Sequence, residues 1–402
     1  MGKDRERIYY INFPPILGEE EKREVMEVLD SKILVRTYGT KAFKLEGELS
    51  NYFNVKHVIT CNSGTSALHL ALAALDIGPG DEVIVPPIGF ITSSTSVLYQ
   101  NAIPIFADVD EYGMLDPEDI RRKLSDKTRA IIVVHLMGHA AQMDAIMEIA
   151  KEHSLYLIED AAQAIGARYK GRLLGTLGDV GCFSLHQSKV ITSGEGGFVI
   201  TDTDRLAEKI YSISNFGRPF GIPHAYSYVY MGYNYRIPEV SAAIALAQMK
   251  GINKFIAARK RNAAYLTERL SNLEDKGIRL LKAPPWSDSV WWTYILTLEA
   301  ELKVSIQEFI SLLFKKGVGA MAFDRPDNLQ EFYLEKKIYP HCLCPFSCPY
   351  YGREVDYKTM CPKAEKLLKD RVGIPGCEPH LNKEDLDYII SAIKDVVEKY
   401  NR

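Results

Sequence analysis

His57-Val58-Ile59-Thr60-Cys61-Asn62-Ser63-Gly64-Thr65-Ser66-Ala67-Leu68-His69-Leu70-Ala71-Leu72-Ala73-Ala74-Leu75 is the stretch whose reading decides the fold. Its first five residues form an apolar run that predicts a buried strand. Ser66 to Leu75 is rich in Ala and Leu and predicts a helix, and the residues between are small or hydroxylated. The pattern repeats downstream. Glu82 to Val85 reads as a second strand, entered through the turn Gly78-Pro79-Gly80-Asp81, and Ile103 to Ala107, Ala130 to Val134 and Leu155 to Ile158 follow with helical segments between them. Strands separated by helices need crossover connections, so these residues predict an α/β fold with a mainly parallel sheet sandwiched by helices. Val180 to Ser184 and Gly197 to Thr201 add two more strands close together in sequence.

Working outward, Pro238 to about Leu270 reads as one long helical stretch. Beyond Pro284-Pro285 come an aromatic strand (Trp291 to Leu298), an amphipathic helix (Ser305 to Lys316), a Pro/Cys/Tyr-rich stretch from Tyr339 to Cys361, and a final helix after Asn382. The expected organisation is a large α/β domain over 20–284 and a smaller α+β C-terminal domain over 285–402, which residues 1–19 join. A chain of 402 residues suits that division. With 49 Lys and Arg against 52 Asp and Glu, the net charge of -3 gives no electrostatic reason to expect nucleic acid or an anionic membrane as partner. No apolar run approaches membrane-spanning length, the N-terminal MGKDRERIYY has no apolar signal core, and seven cysteines do not describe a disulfide framework. A cytoplasmic protein is expected.

Three elements carry chemistry. Lys189 lies in Phe183-Ser184-Leu185-His186-Gln187-Ser188-Lys189-Val190-Ile191-Thr192-Ser193-Gly194-Glu195-Gly196-Gly197, between an apolar strand and a glycine-rich loop. A desolvated lysine becomes an amine nucleophile for aldehydes, whereas a solvated surface lysine is inert. Asp160, in Leu157-Ile158-Glu159-Asp160-Ala161-Ala162-Gln163, stands at the C-terminal end of a strand, where parallel α/β sheets gather their ligands. A buried acid there suits a cationic partner such as a pyridinium nitrogen, or else it caps a following helix. Asn62-Ser63-Gly64-Thr65-Ser66-Ala67 opens a helix with small and hydroxylated residues, which suits a phosphate cup and equally suits ordinary capping by Ser63 or Thr65. Neither dinucleotide nor P-loop glycine spacing occurs there.

In this order and spacing the elements resemble fold-type-I pyridoxal-phosphate enzymes, and more narrowly the DegT/StrS-type sugar aminotransferases. The resemblance runs through Gly18-Glu19-Glu20-Glu21, Ser63 to Leu68, Gly78 to Pro86, Glu159 to Gln163, Gly178 to Ser184 and Gly194 to Gly197 to Gly232-Tyr233-Asn234-Tyr235-Arg236. It implies pyridoxal 5′-phosphate as cofactor, with Lys189 forming the Schiff base and shuttling a proton, and Asp160 keeping the ring nitrogen protonated. It implies Phe90 stacking on the ring, Gln163 beside the phenolic oxygen, and Gly64, Thr65, Ser66 and Ser184 around the phosphate. It also implies that Asn234 reaches the phosphate of the neighbouring subunit, so that a homodimer shares its active sites. The implied reaction moves an amino group from glutamate or glutamine to a keto-sugar or keto-cyclitol. Relatives with His in place of Lys189 dehydrate instead, so Lys189 argues for transamination. The alternatives are another pyridoxal reaction, such as elimination, and a non-catalytic sensor.

Two departures bear on substrate. Gln187-Ser188-Lys189-Val190, with Cys344-Pro345-Phe346-Ser347-Cys348-Pro349 downstream, looks like the branch acting on keto-cyclitols such as scyllo-inosose. The turn Gly317-Val318-Gly319-Ala320-Met321-Ala322-Phe323 lacks the histidine many relatives carry there. Cys342, Cys344, Cys348 and Cys361, with His341, supply soft ligands, but their spacing fits no standard zinc site and no metal is expected. His135 and His139 are read as structural.

Overall fold

The structure is a computed structural model describing residues 8–222, 225–323 and 325–400. Its centre is a seven-stranded sheet of β1 (His57–Cys61), β2 (Glu82–Val85), β3 (Ile103–Phe106), β4 (Thr128–Val134), β5 (Tyr156–Asp160), β6 (Val180–Ser184) and β7 (Gly197–Thr201), in the order β1-β7-β6-β5-β4-β2-β3. β7 runs antiparallel to both neighbours, while the pairs β3–β2, β2–β4, β4–β5 and β5–β6 are parallel. The strands are apolar and buried along almost their whole length, as a sheet covered on both faces requires. Helices α1 (Glu19–Ser31), α2 (Lys41–Phe53), α3 (Gly64–Ala74) and α4 (Thr92–Tyr99) belong to the N-terminal part of this architecture.

A four-stranded antiparallel sheet, of β8 (Ile278–Leu280), β9 (Tyr294–Leu298), β10 (Met321–Ala322) and β11 (Arg371–Ile374) in the order β8-β9-β11-β10, has its own core with helices Ile306–Lys315 and Lys383–Tyr400. Tyr9–Tyr10 pairs in parallel with Val318–Gly319 beside it; residues 1–7 lie outside the described residues. Residues beyond 285 also enter the first core. Tyr333, Tyr357 and Cys361 are buried with the seven-stranded sheet, and the Tyr357 hydroxyl donates to the Pro104 carbonyl of edge strand β3 at 3.0 Å. Phe106 meets the Tyr333 and Tyr357 rings edge-on, at 5.1 and 5.7 Å between centroids.

Two local expectations change. The single long helix is two, Glu239–Met249 and Ile252–Leu270, because the chain turns at Lys250–Gly251. The aromatic strand begins at Tyr294 and not at Trp291, whose φ of 54° lies in the left-handed region and takes it out of any ladder.

Adjacent acids on β5 face opposite sides of the sheet. Glu159 is fully buried and accepts from His135 Nε2 at 2.9 Å and from the N–H groups of Gly175, Leu177 and Gly178 at 2.8, 2.6 and 2.7 Å. Burial opposes its charge, but the His135 and backbone donors outweigh that and hold its carboxyl below the usual range. Glu159→Ala leaves all four donors without a partner. It is expected to cost about 3 kcal/mol or more in urea unfolding.

Candidate active site

The parallel strands all end at one edge, and the lysine loop lies there because β6 and the antiparallel β7 are joined at that edge by residues 185–196. Register sets the neighbours. Asp160 lies opposite Val134 and Cys182, Ser184 lies opposite Gly197, and Gly197 lies opposite Cys61. The end of β1 therefore comes close to the end of β6. A methyl group built on Gly64 would stand 2.9 Å from Ser184 Cβ and 3.3 Å from its Oγ. Only a residue without a side chain leaves this cleft open.

α3 starts in the cleft. Ser63 caps it, its Oγ accepting from the Ser66 N–H at 3.0 Å, and the Ser66 hydroxyl donates to Asn62 Oδ1 at 2.6 Å. The cap is present, and Gly64, Thr65, Ser66 and Ser184 stand at a helix N-terminus whose dipole favours an anion. Asn234 adjoins the same turn, since Asn62 N–H donates to the Tyr235 carbonyl at 2.8 Å and Asn62 Nδ2 to the Asn234 carbonyl at 3.5 Å. The Asn234 side chain is exposed.

Asp160 is buried at the end of β5, and the residues after it form turns and not a helix, so it caps none. One carboxylate oxygen accepts from Ser93 Oγ at 2.7 Å and the other from the Ala162 N–H at 3.1 Å. Gln163 Oε1 accepts from the Met137 N–H at 2.8 Å, fixing a loop whose Met137 has φ 57°. Phe90, three residues before Ser93, is 65% exposed at the same edge. His135 serves Glu159, and buried His139 pairs through Nδ1 with Ser289 Oγ at 2.6 Å, which keeps both in structural roles.

Lys189 closes the turn His186–Lys189, its N–H donating to the His186 carbonyl at 2.9 Å. Burial pushes its amine down to about 8, against the opposing charge of nearby Asp160. At pH 7 about one such amine in ten is unprotonated, against roughly one in a few thousand for an ordinary lysine. Lys189 is half-buried, and a partly desolvated amine is a better nucleophile than a solvated one. The Trp292 ring lies with its centroid 4.6 Å from Nζ. Ser93 and Trp292 are the residues that sequence reading missed. Ser93 lies three residues after Phe90, and Trp292 falls within the aromatic run read as a strand.

These residues fit pyridoxal 5′-phosphate: an open cleft at a helix N-terminus for the phosphate, a buried acid for the ring nitrogen, and a depressed amine for the aldehyde. Cys344 has Cys342 within hydrogen-bond reach and Cys348 close by. Cys342 is exposed, Cys344 and Cys348 are half-buried, Cys361 is buried, and all are free thiols. Among the described residues no group of three or more His, Cys, Asp or Glu side chains is placed to hold a metal ion, and no helix is long and apolar enough to cross a membrane.

The family model of the DegT/DnrJ/EryC1/StrS aminotransferases matches residues 15–347. The GDP-perosamine synthase of Caulobacter vibrioides is 37% identical over 95% of this chain and 97% of that protein. The UDP-N-acetyl-3-dehydro-alpha-D-glucosamine 3-aminotransferase of Acidithiobacillus ferrooxidans is 33% identical over 95% of each chain. Among solved structures, the aminotransferase from Psychrobacter cryohalolentis superposes with a TM-score of 0.83 at 31% identity, covering 96% of this chain and 99% of its own. The chain belongs to the DegT/DnrJ/EryC1/StrS aminotransferase family, with the fold-type-I architecture of its pyridoxal-phosphate-dependent members.

The cleft at Gly64 yields a test. Gly64→Val should weaken retention of pyridoxal 5′-phosphate about tenfold or more, the effect of losing one or two charge-assisted hydrogen bonds. Absorbance titration reads the loss, and an unchanged far-UV circular dichroism spectrum shows that the fold persists.

Proposed function

We propose that this aminotransferase uses pyridoxal 5′-phosphate to move an amino group from glutamate or glutamine to the carbonyl carbon of a nucleotide-linked keto-sugar in amino-sugar biosynthesis, working as a cytoplasmic homodimer. The observation that carries the reading is the pairing of a desolvated Lys189 amine with buried Asp160 at the one sheet edge where the helix N-terminus opens. When bound, pyridoxal 5′-phosphate supplies an aldehyde that combines with amines and a ring that draws electrons from the adjoining carbon.

The chain's own residues do the rest. Lys189 Nζ would hold the cofactor through its aldehyde carbon and, once a substrate amine displaces it, would carry a proton between the substrate carbon and that former aldehyde carbon. Asp160, held by the Ser93 hydroxyl and the Ala162 N–H, would partner the ring nitrogen and favour its protonated form. Phe90 offers an apolar face for the ring. Gln163, anchored on the Met137 N–H, stands beside it. Gly64, Thr65, Ser66 and Ser184 receive the phosphate.

The names of the relatives support a nucleotide-linked acceptor. Gln187-Ser188-Lys189-Val190 and the Cys344 to Pro349 segment favour a free keto-cyclitol as the second reading. The homodimer, with Asn234 reaching the phosphate of the second copy, is supported by the exposed Asn234 side chain and by bare apolar residues such as Tyr226 (91% exposed) and Met231 (81%) in the preceding segment.

Lys189→Ala is expected to abolish turnover with both donor and acceptor while the thermal midpoint stays near that of the parent. Full activity in that variant would remove the assignment. Asp160→Asn should slow each half-reaction by about a hundredfold or more, as loss of a preorganised charge at a reacting centre does, in stopped-flow measurements. To separate the acceptors, enzyme loaded with pyridoxamine 5′-phosphate is mixed with nucleotide-linked keto-sugars and with keto-cyclitols, and return of the aldehyde form is followed. Failure to make the pyridoxamine form from donor alone would point to elimination chemistry.

A further inference from the structure

Trp292 packs against the Lys189 amine. It lies two residues before β9, a strand of the second sheet. Its backbone N–H donates to the Met137 carbonyl at 3.0 Å. Its carbonyl accepts from Asn12 Nδ2 at 2.8 Å and from an Arg259 guanidinium nitrogen at 3.2 Å. Its indole Nε1–H donates to the Ser188 carbonyl at 2.8 Å. The ring is therefore tied at both ends, and one tie goes to the residue next to the lysine. The neighbouring backbone is also constrained: Trp291 and Met137 both have positive φ, and a methyl group on Gly138 would stand 2.9 Å from the Trp292 nitrogen. With its centroid 4.6 Å from Nζ, the ring offers the amine an aromatic face.

We propose that Trp292 is a positioning residue for the reaction lysine, giving the Lys189 amine a fixed resting place against its ring whenever the amine is not covalently engaged. The inference rests on the reading of Lys189 as the lysine that holds the cofactor. During amino transfer that lysine is released and must return to the same atom. A long side chain freed in water would sample many rotamers. An aromatic face beside Nζ keeps the amine within reach, and it stabilises the ammonium form that exists between the two proton movements.

The ring has two separable parts, and the test removes them one at a time. Trp292→Leu and Trp292→Met keep an apolar neighbour without a π face. Trp292→Phe keeps a face but has no N–H for Ser188. The readout is the protonation curve of Lys189 in the full-length, cofactor-free enzyme, obtained by competitive acetylation and peptide mass spectrometry. The midpoint is expected to fall by about half a unit to one unit in the Leu and Met variants, because the ammonium loses its partner while the amine stays dry. In Trp292→Phe it should stay within about 0.3 units of the parent. A parent-like midpoint in both face-less variants overturns the proposal, and having two guards against one that fails to fold. Borohydride reduction with pyridoxal 5′-phosphate reports separately on the underlying reading. A phosphopyridoxyl group mapped to Lys189 of the parent upholds it, so that an unmoved midpoint then counts against Trp292 alone. Its absence from Lys189 would remove both.

Discussion

Setting a half-buried amine and a buried acid at the same edge of the sheet is the constraint on which the rest of this structure depends. Desolvation lowers the Lys189 amine and Asp160 opposes that, so the balance sits close to neutrality. The balance holds because Asp160 is not free to swing. It is the last residue of a central strand, and each of its oxygens already has a donor. The acid before it on the strand is fixed even more firmly, by His135 and three backbone donors on the other face. Two adjacent carboxylates thus divide their work by the pleat: one secures the loops beneath the sheet, and the other is presented at its edge.

Much of this can be read in the sequence because buried parallel strands announce themselves. His57 to Cys61, Glu82 to Val85 and Val180 to Ser184 are short apolar runs bounded by turn residues, and the structure places strands at those residues. The edge where Lys189, Asp160 and Gly64 meet follows from strand order, which parallel topology constrains tightly. What stayed illegible has a physical reason in each case. The Ala and Leu spacing continues smoothly through Lys250–Gly251, so periodicity alone conceals the break between the two helices. Asp160 followed by two alanines is compatible with a helix start, and only the observed turns exclude it. Ser93 and Trp292 act through partners 67 and 104 residues away, a separation that no local pattern encodes.

The second sheet contributes more than bulk. The helix Ile252–Leu270 spans both cores, with Ile252 and Ile256 in the first and Leu266 and Leu270 in the second. From it Arg259, fully buried, reaches the carbonyls of Trp291 and Trp292 and the side chain of Asn12. Glu378 accepts from the Asn12 N–H at 2.8 Å and completes the connection to the C-terminal segment. A shift of the second sheet would therefore be felt at the lysine through Trp292.

The cover over β3 has a consequence for how copies of this chain meet. An edge strand ordinarily offers a row of free backbone groups onto which another chain can add. Here Pro104 has no N–H to give, the Tyr357 hydroxyl occupies its carbonyl, and the Tyr333 and Tyr357 rings lie against Phe106. Growth of the sheet from one molecule into the next is closed off on that side. Contact between copies is therefore left to surfaces other than the β3 border.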